Sequence, residues 1–293
     1  MFSLNHLSTI EGVNENCWQI GVSPDGRHLA VSFIAEPNVI QMCDHQGKVF
    51  KRLEGHRKRV HSIAFAADGR TIASASADKT VRIWSPTGDL LALFDRFDDS
   101  VETVRYAPDV PILAGGQKDG YIVMFDIAGN YIATLHSPKN RIYCLDWSAD
   151  SGYLAAASAD RNMYLFNVKM QMKSIYPHPA AVYGVSISKT NGKIVTCCED
   201  GRVRFFNINE DTVQISEIHK ERVVGVSFSP DDSFIAASSF DKSVSFFDSH
   251  GNEQGQYYLT SEALGLTFSP DSKKLFVSTQ DRKLHTYEIL KDK

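Results

Sequence analysis

Apolar and polar residues alternate along short runs of about six residues, and each run closes on a turn-forming cluster. In residues 60–65, Val60, Ser62 and Ala64 fall on one side and His61, Ile63 and Phe65 on the other, the period of two that predicts a strand. Both sides are largely apolar, as expected of a sheet covered on both faces. The clusters read SPDG (23–26), AADG (66–69), APDV (107–110), SADSG (148–152), KTNG (189–192), SPDD (229–232) and SPDS (269–272). Proline presets φ, Asp and Asn bond to nearby backbone, and Gly tolerates positive φ, so these are tight turns.

A second regularity runs through the chain. Asp78, Asp119, Asp160, Asp200, Asp241 and Asp281 are spaced 41, 41, 40, 41 and 40 residues apart, each ahead of a strand-like stretch such as DKTVRIW or DGRVRFF. A period in the low forties with four strands per unit predicts an all-β, seven-bladed β-propeller of four-stranded antiparallel blades. One blade cannot bury both faces of its sheet, so neighbours must do so. The turns count seven units and the aspartates six; the position 41 before Asp78 is Pro37, so the first unit has lost its aspartate.

The units run through residues 1–293 without a linker and predict a single domain, with blades near 11–53, 54–94, 95–135, 136–176, 177–217, 218–258 and 259–293. The last blade ends at LHTYEIL with a charged stub where a fourth strand should lie. HLSTI (6–10) precedes Cys17 by the same offset as VFKRL (49–53) precedes Val60. The N-terminus is therefore expected to supply the outer strand of the last blade, closing the ring and covering an open edge.

Composition narrows the function. Net charge −4 and a pI near 6.2 make nucleic acid an unlikely partner. Five cysteines, an odd number lying mostly within strands, read as small core residues of a reducing compartment. Adjacent Cys197 and Cys198 point to opposite faces of a strand and make a poor metal pair. With neither a secretory leader pattern nor an 18-residue apolar run, the expected location is the cytoplasm, with the nucleus open and no membrane span.

The second unit, GH (55–56) followed by VHSIAFAADGRTIASASADKTVRIW, resembles the WD-repeat β-propellers. The resemblance implies a hydrogen-bonded structural tetrad, here His56, Ser74, Asp78 and Trp84. A buried carboxylate must be satisfied, and an imidazole N–H, a hydroxyl and backbone N–H groups can do it. Other units keep the set in part: His178, Thr196 and Asp200 with Phe206; His219 and Asp241 with Ala237 and Phe247; Asp160 with Ala156, Phe166 and a His136 displaced by two; Asp119 with Gly115 and Phe125; Asp281 with Val277 and Tyr287. A His–Ser–Asp set that recurs at the repeat period is structural, since a catalytic centre would occur once. No nucleophile elbow, phosphate-cradling loop or H-E-x-x-H is present, so no enzyme, catalytic residue, cofactor or metal is expected.

The resemblance also implies partner binding on the narrow face around the central channel. The positions that reach it flank the first inward residue of each inner strand or precede the turn aspartate. Carried over, they include Trp18, Arg59, His61, Glu102, Lys118, Arg141, Tyr143, Tyr183, Glu199, Arg222 and Phe240, with Ala263, Gly265 and Gln280 in the last blade. Aromatics and arginines are the types that concentrate binding energy at interfaces. Residues 51–61 carry five Lys/Arg against one Glu, and DRFDDSVE (95–102) is acidic. This charge pattern suits an acidic or phosphorylated protein or peptide partner within a larger complex. The expected function is a non-catalytic interaction scaffold or adaptor. The alternatives are a lipid- or nucleic-acid-binding propeller, whose lipid-binding relatives carry F-R-R-G where this chain has VRFF, and an enzyme using His61, Glu102 and Glu199, which come from three separated blades.

Overall fold

The computed structural model describes residues 2–13, 20–33, 35–136, 138–167, 172–190, 192–208 and 210–291. Their strands form seven four-stranded antiparallel sheets. In six of them the strands follow in chain order, and the first strands of neighbouring sheets contact one another around a central channel. These inner strands are Gly21–Val22, Val60–Phe65, Val101–Tyr106, Ile142–Trp147, Val182–Ile187, Val223–Phe228 and Ala263–Phe268.

The buried apolar residues show why the sheets need each other. They fall into clusters that each straddle one seam between blades. Between blades two and three, Ala73, Val81, Ile83 and Phe94 pack against Phe97, Val104, Leu113 and Phe125. Between blades seven and one, Phe276 and Leu284 pack with Ile10, Leu29 and Val31. No blade keeps its own core.

The ring closes through Phe2–Glu11, which pairs antiparallel with Lys283–Lys291 in a register that sets Leu4 opposite Ile289 and Ile10 opposite Leu284. The pairing is longer than residues 6–10. Its extra residues fasten a second blade as well, because the Phe2 ring lies 4.9 Å from Phe234 and 5.5 Å from Phe246 in blade six.

At the opposite end of the inner strands, six of the seven turns hold their fourth residue in the left-handed region, the exception being Val110 in blade three. Glycine holds it at Gly26, Gly69 and Gly192, but Ser151, Asp232 and Ser272 adopt φ of 53°, 56° and 59°. Each non-glycine side chain reaches the preceding blade's turn. Ser151 Oγ accepts the Asp109 N–H at 2.9 Å, Asp232 accepts the Thr190 N–H at 2.8 Å, and Ser272 Oγ accepts the Asp231 N–H at 3.1 Å. The backbone cost, of order 1 kcal/mol or more, is offset by fastening blade to blade.

Strict alternation fails in the inner strands. In blades two to seven the pairing skips the second residue, as between Val60 and Ser62 or Val101 and Thr103. This bulge re-aims the skipped residue. His61 and Ala64, which regular alternation would put on opposite sides, both border the channel.

Candidate functional site

In blade two the four tetrad side chains form one chain of hydrogen bonds. Trp84 Nε1–H donates to Ser74 Oγ at 2.8 Å, Ser74 lies 2.7 Å from His56 Nε2, and His56 Nδ1 lies 3.0 Å from Asp78 Oδ2. Asp78 also accepts the Arg57 N–H at 2.9 Å and the Thr80 hydroxyl at 2.6 Å. Burial pushes the Asp78 carboxyl up, but these donors more than offset it and hold it well below the usual range. Burial likewise lowers the His56 pKa, with Asp78 opposing. A neutral imidazole suits the geometry: Nδ1–H donates to the carboxylate and Nε2 accepts from Ser74. With Ser74 fully buried and His56 3% exposed, the hydroxyl has no path to a substrate.

Blades four, five and six keep the carboxylate but rearrange the groups around it. In blade six His219 Nδ1 lies 3.0 Å from Asp241, and the hydroxyl comes from Ser245, cross-strand neighbour of Ala237. In blade five His178 bonds Thr196 at 2.9 Å and the Tyr176 carbonyl, not Asp200; the buried Arg204 guanidinium takes Asp200 at 3.1 Å. In blade four the Tyr164 hydroxyl donates to Asp160 at 2.8 Å. His136 lies at the surface there, with its ring 4.9 Å from Tyr121. In blade three Phe97 occupies the place of the imidazole, and a side chain at Gly115 would come within 2.9 Å of it.

The channel has a volume of about 410 Å³. His61, Glu102, Arg141, Tyr143 and Tyr183 all border it; Trp18 lies outside the described residues. Arg222 and Phe240 stand beside them, with the guanidinium 3.7 Å above the Phe240 ring and near enough to Tyr183 to oppose the rise of its pKa. Tyr183 lies 4.9 Å from Tyr143, and the Arg141 guanidinium 5.8 Å from the Tyr143 ring. Arg141, Tyr143, Tyr183, Arg222 and Phe240 thus make one continuous arc over blades four to six. Stacking occupies the faces of the guanidiniums and leaves their edges as fixed donors.

Arg59, Lys118 and Glu199 are exposed next to this mouth rather than lining it. A recurrent backbone bond explains the placement: the N–H before each turn aspartate donates to the carbonyl before an inner strand. It joins Ala77 to Arg59, Lys118 to Ser100, Ala159 to Arg141, Glu199 to Ala181, Phe240 to Arg222 and Gln280 to Glu262. In blade seven the corresponding positions are therefore Glu262 and Leu264, one residue earlier than Ala263 and Gly265.

Electrostatics at the mouth are uneven. Arg141 Nε is 3.8 Å from Glu102. Burial lowers the His61 pKa, which Glu102 opposes and Arg59 and Arg141 reinforce. Tyr183 is pushed up by burial and by Glu199. Among the described residues no group of three or more His, Cys, Asp or Glu side chains is placed to hold a metal ion.

A second tier, three residues deeper, escapes the sequence pattern: Ala64, Arg105, Asp146, Ser186, Ser227 and Thr267 all border the channel. Asp146 Oδ2 accepts the Ile187 N–H of the next blade at 2.8 Å, and Ser186 Oγ accepts the Phe228 N–H at 3.2 Å. These side chains satisfy inner-strand N–H groups that would otherwise face the channel. A charge inside an apolar strand, as in VETVRY and IYCLDW, was the available signal.

The WD domain, G-beta repeat family matches residues 47–85, 129–167, 169–207 and 211–248, just over half of the chain. With seven blades and the tetrad, the chain belongs to the WD-repeat family. It is 24% identical to the intraflagellar transport protein 122 homolog of Xenopus tropicalis over 95% of this chain and 24% of that protein. It is 27% identical to the periodic tryptophan protein 2 homolog of Dictyostelium discoideum over 80% of this chain and 22% of that protein. The WD repeat-containing protein 26 homolog of Arabidopsis thaliana is 22% identical over 87% and 43% of the respective chains. The chain thus spans about a quarter of the length of the first two relatives. Membership fits a scaffold or adaptor role.

Proposed function

We propose that this propeller is a non-catalytic scaffold, a single domain of 293 residues, that holds a protein or peptide partner over its channel mouth within a larger cytoplasmic or nuclear complex. The carrying observation is the arc Arg141–Tyr143–Tyr183–Arg222–Phe240. It gathers the residue types that dominate interface energetics, already held in place by one another. The exposed basic loop Arg57, Lys58 and Arg59 beside it favours an acidic or phosphorylated partner. A phosphoinositide reading loses its residue, because Arg204, the single arginine of VRFF, is buried against Asp200.

The test is affinity purification from host cells of the wild type beside a Tyr143→Ala/Arg222→Ala/Phe240→Ala variant, with circular dichroism to check the fold. Specific partners should disappear from the variant. A folded variant that captures the same partners at full yield would place binding on another face.

A further inference from the structure

Apolar surface gathers on one side of the rim. The outer strands of blades one to three expose Val49 and Phe50, three leucines, and Tyr131 and Ile132 in turn. They form one belt, because each strand touches the next blade. A side chain at Gly88, in the turn ahead of Leu90–Phe94, would meet Lys51 of blade one, and one at Gly129 would lie 3.4 Å from Phe94. The middle strand of the belt, Leu90–Phe94, is the outermost of its sheet, so one row of its backbone N–H and C=O groups has no strand beside it. Its sequence LLALF is also unguarded. VFKRL, MKSIYP, EDTVQIS and EQGQYY carry the charges that blunt such an edge, and LLALF carries none. YIATL on blade three is equally free of charge, but its Tyr131 and Thr134 hydroxyls are bonded to each other at 3.1 Å across its surface. On blade two, Ala92 and Phe94 pack into the seam with blade three. Leu90, Leu91 and Leu93 belong to no seam and are 46, 55 and 47% exposed.

The two ends of this strand differ in charge. At the wide-face end Lys51 offsets Asp89. At the narrow-face end DRFDD (95–99) sets three carboxylates beside Arg96, and Asp95 and Asp98 are exposed. Lys79 comes near, but its ammonium donates to the Asp98 carbonyl, and among the described residues none of the three carboxylates makes an ion pair. A second copy of the chain fits this edge poorly. Antiparallel pairing of LLALF with itself about Ala92 sets Asp95 against Asp89 at both ends, and like charges directly opposite are destabilising. A partner strand with basic residues at one end meets the charge instead.

We propose that the rim of blade two is a second docking surface, which takes an extended apolar segment of a partner protein as a fifth, antiparallel strand beside Leu90–Phe94. Apolar side chains of the segment flank Leu90, Leu91 and Leu93, and basic residues ahead of its apolar run meet Asp95 and Asp98. In an antiparallel pair the start of the added strand lies beside the end of the existing one, which fixes that order. This surface is separate from the channel mouth and stands whether or not the mouth binds.

The experiment pans three immobilised pools of nonapeptides, blocked at both ends, on the intact protein. Each has Val, Ile or Phe at alternate positions and randomised polar residues between them. The first pool begins with Arg-Lys, the second begins with Glu-Glu, and the third is the first with proline at its centre. The first pool should be enriched. Its best peptides should bind about tenfold or more weakly once a central proline removes a ladder N–H, and likewise to Leu91→Lys/Leu93→Lys. Asp95→Lys/Asp98→Lys should move the enrichment to the Glu-Glu pool. All four side chains are exposed, so both variants should keep the wild-type melting temperature. Equal recovery of the three pools, or no enrichment in any, would overturn the proposal. Binding that survives Leu91→Lys/Leu93→Lys but is lost in Tyr143→Ala/Arg222→Ala/Phe240→Ala would overturn it by placing the peptide at the channel mouth. So would a dimer of the protein alone, seen by sedimentation and abolished by Leu91→Lys/Leu93→Lys, because the occupant would then be a second copy.

Discussion

Ser245 Oγ lies 2.6 Å from His219 Nε2, the place that Ser74 takes beside His56 in blade two. The two hydroxyls do not occupy equivalent positions. Ser74 is on the second strand of its blade opposite Arg82, whereas Ser245 is on the third strand opposite Ala237. Blade six has moved the hydroxyl across the ladder and kept the hydrogen bond. What the packing requires is an oxygen at one point in space, and either of two strands can deliver it.

Removing either hydroxyl should therefore be costly, Ser74→Ala the more so because the Trp84 N–H also loses its acceptor. Ser74→Ala and Ser245→Ala should each destabilise by about 1–3 kcal/mol, since each leaves a buried imidazole nitrogen unsatisfied. Asp78→Ala and Asp241→Ala should cost more than Asp281→Ala, which has no histidine to strand. Urea midpoints rank all five, and a Ser245→Ala midpoint equal to wild type would remove the equivalence.

Blade five makes a sharper case. Arg204→Met leaves the Asp200 carboxylate, 12% exposed in its side chain, with only the more exposed Arg202 guanidinium at 3.8 Å. Breaking such a pair should cost about 3–5 kcal/mol. Asp200→Asn/Arg204→Met should recover most of that loss, because no charge is then buried alone. A double variant no more stable than Arg204→Met alone would show that the guanidinium acts through packing.

Stability should fall between neutral and mildly acid pH. Burial holds the His178 imidazole down to about 4, with Nε2 accepting from Thr196. Its folded pKa lies below the unfolded value of about 6.5, so the unfolded chain binds the extra proton in that window. Its contribution is complete above pH 6.5, and a loss of about 3 kcal/mol accrues as pH falls toward 4. Melting temperatures from pH 7.5 to 4.5 should drop less steeply in His178→Gln. Asp78 and Asp241 act in the same direction at lower pH, from about 4 downward, because the unfolded carboxyls take up protons before the folded ones do.

The closing strand should matter twice. Deleting residues 2–11 removes a ten-residue strand and opens the last blade, so the melting temperature should fall by many degrees. Phe2→Ala keeps the strand but loses the contacts with Phe234 and Phe246, at a cost of about 2–3 kcal/mol. A deletion that melts like wild type would mean that the ring holds without its strap.

Much of the fold was legible because its rules are local. Turn residues need particular φ values, and a carboxylate ahead of a strand repeats wherever the same turn does. Several of the candidate positions, among them His61, Glu102, Arg141, Tyr143 and Tyr183, could be placed at the channel from sequence; what escaped were relations across strands. Arg105 and Asp146 could be seen as charges in apolar strands, but which side they faced depended on a bulge that alternation does not predict. The Ser245 hydroxyl was hidden because Ala237 stood at the expected position.

By itself the sequence determined the number of blades, the closure of the ring through its N-terminal strand and the identity of the tetrad in blade two. Each follows from a period or a short-range hydrogen bond written into consecutive residues. Only the tertiary structure decided which partner satisfies each turn aspartate, which residues share the channel and how Arg141, Tyr143, Tyr183, Arg222 and Phe240 join into one arc. Those contacts cross strands and blades at separations from 2 positions, as between Arg141 and Tyr143, to 40, as between Tyr143 and Tyr183, and their geometry is set by how seven twisted sheets pack around one axis.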